Sequence, residues 1–469
     1  MVKFNFCNIV KLVTIAFHKP YDTTIESNRS LERERRIALT TIVASIEKVI
    51  SMAIPLITVR ITFNYLGVEI YGLWNAVINF FALFAFSDLG LGNGLQTKLS
   101  QAYGKDDMLL CKQLISSTYF ILCSVAFLLL VIFLIIYPFV NWGGVMNATN
   151  SQAQDLAASI VCVIVIPKIL AIPLAIISRT QLALQEGYNY CIWAICGSIT
   201  SLAYICTVAY LDLGKIILLG GSAIIPLVFS ILNMIVYYGW QRIDLRFSLS
   251  CVKKVQSCEL LNLGLSFCLL SILTNLGFSM DTFIVAKTCA LEDAGVFAIL
   301  SKVMYIMSAV LTIFAQPLWG ANGEAISRGD FAWVRKNTNK MSLMMTASTI
   351  CLSLIVVIFS KLIFRLWLGE ELNFSIYCLS WMCLFQICTA FISPWFMVLN
   401  ASGQVKIQIL TFSVFTPLCF VLKFILGNIY GVSAIPAVGS ILYFLIITLS
   451  IYFISNRHLD KLENGINAA

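Results

Sequence analysis

Ten ionisable side chains interrupt the long apolar runs of this 469-residue chain. Glu47, Lys48, Asp88, Lys168, Asp281, Lys302 and Lys423 lie well inside such runs, while Arg60, Lys287 and Lys361 lie nearer their ends. If the runs cross a membrane, each inner charge costs about 2.5–3.5 kcal/mol to insert, so such groups ordinarily mark function. Long side chains near a span end can instead reach the interface. Seven of the ten are basic and three acidic. Three acids cannot neutralise seven bases, so the interior is net cationic, as a phosphate or carboxylate cargo would require. The competing reading is structural, with Glu47 or Asp88 neutralising a lysine on another helix.

The spacing of these residues agrees with a lumen. At about 100° per residue, Lys423 falls close to Thr416. Lys302, Thr312 and Gln316 share a stripe, with Tyr305 one turn from Lys302, and Glu47, Ser51 and Thr58 share a face. Polar stripes of this kind turn away from lipid. Gly90, Gly92 and Gly94 follow Asp88 in SDLGLGNGLQ. They read either as a bend that brings Asp88 to the cytoplasmic mouth or as close helix packing. Pro167 and Pro173 flank Lys168 and predict a kink.

Other chemistries find no support. Most of the sixteen cysteines lie in apolar runs, where they act as small hydrophobes. No C-x-x-C occurs, and the only histidines, His18 and His458, sit in polar termini. No metal site and no cofactor are expected. There is no GxxxxGK[ST] phosphate loop. The longest outer loop, 140–155, has no Lys, Arg or His, which disfavours a polymerase. Its sequon, Asn147 to Thr149, is a weak three-residue match.

Composition sets the elements that must hold these groups. The chain is 59% hydrophobic and 12% charged, with mean hydropathy +0.90. Soluble domains carry about 25% charged residues, so a soluble enzyme is excluded. Twelve runs approach the roughly 20 residues that a spanning helix needs. They are 38–63, 71–95, 114–139, 156–177, 190–211, 216–238, 260–287, 295–318, 341–364, 375–399, 409–426 and 432–454. None alternates with period 2, as barrel strands do.

Lys and Arg fix the orientation. The termini and alternate connections carry 22 of them, and the opposite set holds only Lys215 and Arg365. Both termini are therefore expected in the cytoplasm, and the net charge of +8 reads as topology rather than nucleic-acid binding. The first apolar run begins too late for a signal peptide. Segment 4–17 reads equally as a membrane-surface helix or a loose tail.

The halves are weakly repeated. Glu69, Gly72 and Trp74 match Glu292, Gly295 and Phe297 at one offset, and SQAYGKDD matches AISRGDFAW. Parallel repeats of six spans follow, with a central site between them. The expected organisation is a cytoplasmic basic segment 1–37, a six-helix bundle 38–238, a cytoplasmic linker 239–259, a second bundle 260–454 and a cytoplasmic tail 455–469. The fold class is all-α, an integral membrane protein with a central cationic cavity.

NYLGVEIYGLW and SDLGLGNGLQTKLSQAYGKDD resemble the bacterial O-antigen and polysaccharide flippases (Wzx-type), in the multidrug/oligosaccharidyl-lipid/polysaccharide (MOP) superfamily. GVFAILSKVMYIMSAVLTIFAQPLWGANGEAISRGD is similar to that family's eighth span and following loop. The resemblance covers the chain in span number, termini and loop lengths. It implies a flippase in the bacterial inner membrane that moves undecaprenyl-pyrophosphate-linked oligosaccharide units to the periplasmic leaflet. It also implies alternating access, coupled to H+ or Na+. The family's charged positions carry over to Asp88, Lys302, Asp330 and Lys423, with lysine here where some members have arginine.

On this reading Lys302, Lys423, Lys48 and Lys168 hold the pyrophosphate and sugar head group. Asp88, Asp281, Glu47 and Asp330 serve ion coupling or gating. The partners are the lipid-linked oligosaccharide and membrane lipids, with a polysaccharide polymerase and a chain-length regulator as further candidates, and no nucleic acid. The alternatives are a multidrug or cation exporter of the same superfamily, which should carry acidic lumen residues, and a peptidoglycan-precursor flippase, typically of fourteen spans.

Overall fold

A computed structural model describes residues 26–67, 88–145, 151–289, 291–368 and 374–467, together with residues 15, 18, 19, 21, 70, 71, 73, 74, 77 and 78. Segment 4–17, the sequon and much of span 71–95 lie largely or wholly outside the described residues, as do Glu69 and Gly72. Every regular element among the described residues is helical. Eleven helices among them are long and apolar enough to cross a membrane. The expected twelfth, 71–95, is only partly described. Its described residues are helical at 70, 71, 73, 74, 77 and 78, and again from Leu91. Phe127, Ile135, Phe139, Leu354 and Ile429 face outward, each more than half exposed. A soluble protein does not leave so much apolar surface in water. The chain is an integral membrane protein of the twelve-helix plan.

The chain divides into two compact units, Met1–Gly264 and Leu265–Ala469. Unit 1 holds α1 (Glu26–Leu66), α2 (Leu91–Gly104), α3 (Met108–Ile136), α4 (Ser151–Ala183), α5 (Gly187–Leu211) and α6 (Lys215–Val236). The next helix, α7 (Lys254–Ser279), starts in unit 1 and runs into unit 2. Unit 2 continues with α8 (Asp281–Thr288), α9 (Leu291–Ser327), α10 (Phe331–Ile358), α11 (Ser360–Leu368), α12 (Ile376–Ala401), α13 (Val405–Tyr430) and α14 (Ala434–Leu442). A π-helical stretch, Tyr443–Thr448, joins α14 to α15 (Leu449–Asn467).

The two units pack by one scheme. In unit 1, α4 is the hub and touches α2, α3 and α6, while α5 packs on α1 and α6. In unit 2, α12 is the hub and touches α9, α10 and α14, while α13 packs on α8 and α14. The hubs are the most buried spans, each 56% buried over its apolar stretch. Leu91, Leu95, Leu99, Ile115, Ile160 and Val165 form the centre of the first core, and Ile284, Phe297, Leu300, Leu379, Met382 and Ile435 that of the second.

Local sequence repeats as well. The turns after α2, α4, α9 and α12 have one shape, with a left-handed residue at Asp106, Gln185, Gly329 and Gly403. In each turn the amide of that residue reaches back three residues, and the next amide reaches back five. This pairing satisfies the last carbonyls of a helix. Asp107 then caps α3 by accepting the Leu110 amide at 2.9 Å. Asp330 caps α10 by accepting the Trp333 amide at 3.3 Å. Asp107 and Asp330 stand at the offset that relates Trp74 to Phe297.

The stretch read as a linker, 239–259, packs on α3. The Ser248 amide donates to Ser116 Oγ at 3.2 Å and the Lys253 amide to Ser117 Oγ at 3.3 Å. Gly94 and Gly264 permit a close crossing of α2 and α7. A Cβ on Gly94 would meet the Gly264 nitrogen at 3.3 Å, and one on Gly264 would meet the Leu89 carbonyl at 3.0 Å. The glycines after Asp88 thus serve packing, and the chain also bends there, with Leu89 and Gly90 both left-handed.

Candidate functional site: a charged cavity in the second unit

The contact of α8 with α13 carries the strongest chemistry. Lys423 is 4% exposed, and its Nζ donates to Asp281 Oδ1 at 2.5 Å. A buried lysine without a partner is very costly, so the carboxylate is what allows the ammonium to stay. Gly439 on α14 makes room, because a Cβ there would lie 3.2 Å from Lys423 Nζ. Thr416, two turns before Lys423, donates to the Leu273 carbonyl at 3.1 Å and ties α13 to α7.

The pair borders a cavity of about 470 Å³. A hydroxyl stripe on α9, made of Ser301, Tyr305, Ser308 and Thr312, lines one side. Gln386 and Thr389 of α12 line another, and Gln386 accepts from Ser308 Oγ at 2.9 Å. Phe278, Phe297, Met304 and Phe385 supply apolar wall. The result is one ion pair in a polar and aromatic chamber. A planar or multivalent anion entering it would find Lys423, and the displaced carboxylate would be left needing a proton or a cation.

The other expected residues are distributed. Lys302 is exposed on α9 and does not line this cavity. Glu47 and Lys48 are half-buried on α1, the unit 1 counterpart of α8. Lys168 is half-buried on α4 between Pro167 and Pro173. Asp330 caps α10. Asp88 Oδ1 accepts the Gly90 amide at 3.0 Å. The structure therefore joins one substrate candidate, Lys423, to one coupling candidate, Asp281, at hydrogen-bond distance.

Arg179 is one of the 22 basic residues that the sequence assigns to the termini and alternate connections. It lies instead in α4, where a Cβ on Gly92 would touch both Arg179 (3.1 Å) and Asp88 Oδ2 (3.2 Å). Arg179 also reaches Gln96 Oε1 at 3.4 Å. Each unit thus sets a cation and a carboxylate beside a glycine. Of the stripe read from the sequence, Thr312 and Tyr305 line the cavity and Lys302 and Gln316 do not; Ser301 and Ser308, four residues before and three after Tyr305, were missed, and Gln386 and Arg179 gave no distinguishing signal.

Several other basic residues are clasped. Glu186 takes Arg242 at 3.1 Å and the Tyr237 hydroxyl at 2.5 Å, and lies 3.7 Å from Arg36. Glu32 takes Arg35 and Arg36 at 2.7 and 2.8 Å. Burial opposes the charge on Arg242, but Glu186, Tyr237 and Asp244 outweigh it and raise its pKa. The clasp ties α1, the α4–α5 turn and the end of α6 together.

The fold is that of the MATE transporters of the MOP superfamily. The Vibrio cholerae MATE transporter VcmN in its bent form matches at 13% identity with TM-score 0.76, covering 92% of this chain and 98% of that one. An outward-facing MATE family transporter of the MOP superfamily matches at 10% identity with TM-score 0.74, covering 91% and 96%. A Pyrococcus furiosus MOP superfamily transporter, described as having a binding pocket of reverse polarity, matches at 12% identity with TM-score 0.73, covering 97% and 99%. No curated protein matches the chain. The family model for polysaccharide biosynthesis proteins matches residues 38–319. The chain belongs to that family.

Proposed function

We propose that the protein is a flippase that carries an undecaprenyl-pyrophosphate-linked oligosaccharide across the bacterial inner membrane, with both termini in the cytoplasm. The family match over 38–319 is the observation that carries this reading. The buried Lys423 beside a polar cavity supports an anionic head group. Lys423 exchanges its Asp281 partner for a pyrophosphate oxygen, and Asp281 then takes up H+ or Na+. A ligand shifts a two-state equilibrium only by its differential affinity for the two states. Sharing one lysine between carboxylate and cargo supplies such a difference. Lys302, Lys48 and Lys168 contribute to the cationic path, and Asp88, Glu47 and Asp330 to gating.

A second reading, export of a cationic drug, is favoured by the MATE-like fold and by Asp281 itself. Deleting the gene in its own cell separates the two. The flippase reading expects lipid-linked repeat units to accumulate in spheroplasts and surface polysaccharide to fall, both restored by the wild-type gene and not by Lys423→Met at equal protein level. Unchanged lipid-linked pools with raised sensitivity to cationic dyes would establish the exporter instead.

A further inference from the structure

Unit 1 contains its own cavity, of about 480 Å³, framed by α1, α4, α5 and α6. That size falls within the roughly 300–1,000 Å³ of small-molecule sites. Its chemistry differs from that of unit 2, since none of its lining residues is charged. Five of them are serines, and Trp193, Phe229 and Asn233 complete the character of the wall.

Three of the serines donate within their own helices. Ser51 bonds the Lys48 carbonyl at 3.0 Å, Ser178 that of Ala175 at 2.9 Å and Ser230 that of Pro226 at 3.0 Å. Their donors are spent, but each oxygen keeps the capacity to accept. Ser201 Oγ is buried on the cavity wall with no hydrogen-bond partner. An unmet buried hydroxyl is unfavourable; a ligand bearing hydroxyls would relieve it once the Ser201 side chain turns toward the cavity, and a hydrocarbon would not. The Asn233 amide is held in orientation by two hydrogen bonds with Gln181: its Oδ1 accepts from Gln181 Nε2 at 2.8 Å and its Nδ2 donates to Gln181 Oε1 at 3.2 Å. The Trp193 and Phe229 rings stand 6.2 Å apart at 60°, an inclined aromatic pair in which the broad Trp193 indole offers an apolar face. Gly197 faces Phe229, and a Cβ there would reach it at ordinary van der Waals contact, 3.4 Å.

Hydroxyl acceptors in the wall, one unmet hydroxyl, an aromatic pair and no charge match an uncharged sugar ring. Such a ring offers equatorial hydroxyls at its edge and a C–H face to stack. We infer that the unit 1 cavity is a saccharide subsite, which binds a neutral sugar of the cargo while charge recognition rests with Lys423. This rests on the oligosaccharide reading of the function.

The test uses the purified full chain in lipid nanodiscs and ligand-observed saturation-transfer NMR. The probes are the methyl glycosides of glucose, galactose and N-acetylglucosamine, with tetraphenylphosphonium as the cationic control. At least one glycoside should receive saturation. The signal should fall at least fivefold in Trp193→Ala and at least threefold in Ser201→Leu, which fills the cavity, and persist in Trp193→Phe. Each variant is accepted only with an unchanged melting temperature, so a failure to fold cannot mimic the loss. No glycoside signal, an unchanged signal in Trp193→Ala and Ser201→Leu, or a Trp193-dependent signal from tetraphenylphosphonium alone would each overturn the inference. Failure of the oligosaccharide reading shows separately, in unchanged lipid-linked pools after gene deletion.

Discussion

The Asp281–Lys423 pair carries two demands that conflict. Stability wants the pair closed, and transport wants it open to cargo. Removing one partner leaves an uncompensated buried charge, a loss of about 3–5 kcal/mol, whereas replacing both with apolar residues of similar size is far milder. Lys423→Met and Asp281→Leu should each lower the melting temperature of the purified protein. The double variant should recover most of that loss and still move no cargo. A single variant with full activity would remove the pair from the mechanism. Gly439 gives a finer probe, since its missing Cβ leaves the space that Lys423 Nζ uses. Gly439→Ala should fold, and should lose transport more than stability when both are measured on one preparation.

At the level of helices, the glycine crossing and the charged clasp differ in what they tolerate. A Cβ on Gly264 meets backbone atoms of residues 89 and 91 at 3.0–3.2 Å, and backbone cannot step aside as a side chain can. Gly264→Val should therefore abolish folded yield, read by size-exclusion chromatography. Glu186→Gln keeps the shape of the clasp but removes its charge. Hydrogen bonds to charged groups are worth about 1.5–3 kcal/mol, so it should lower stability by a few kcal/mol, read as a shift in thermal unfolding. Most of these elements were legible in the sequence. Apolar length located the spans, and the offset linking SQAYGKDD to AISRGDFAW marked a repeated turn whose caps, Asp107 and Asp330, the structure shows. The Asp281–Lys423 pair was not legible, because sequence spacing carries no information about which helices touch. Arg179 was misread for a related reason. A cation near a span end looks like a topology marker until packing sets it beside Asp88.

The whole molecule combines two six-helix bundles with one packing scheme and unlike cavities. Their equivalent spans carry different chemistry: α1 presents Glu47 and Lys48, and α8 presents Asp281 to Lys423. Orientation is open to a direct check. Green fluorescent protein fused to the C-terminus should fluoresce and alkaline phosphatase fused there should be inactive, if the basic residues of the termini and alternate connections mark the cytoplasmic side. The most direct test of the central claim is leaflet transfer in proteoliposomes that contain an undecaprenyl-pyrophosphate-linked oligosaccharide from the protein's own cell, followed by accessibility of the sugar to periodate. Wild-type protein should expose the sugar across the bilayer, Lys423→Met should not, and ethidium should stay in place in the same vesicles. Transfer of ethidium by the wild type, with the lipid-linked sugar left in its original leaflet, would contradict that claim.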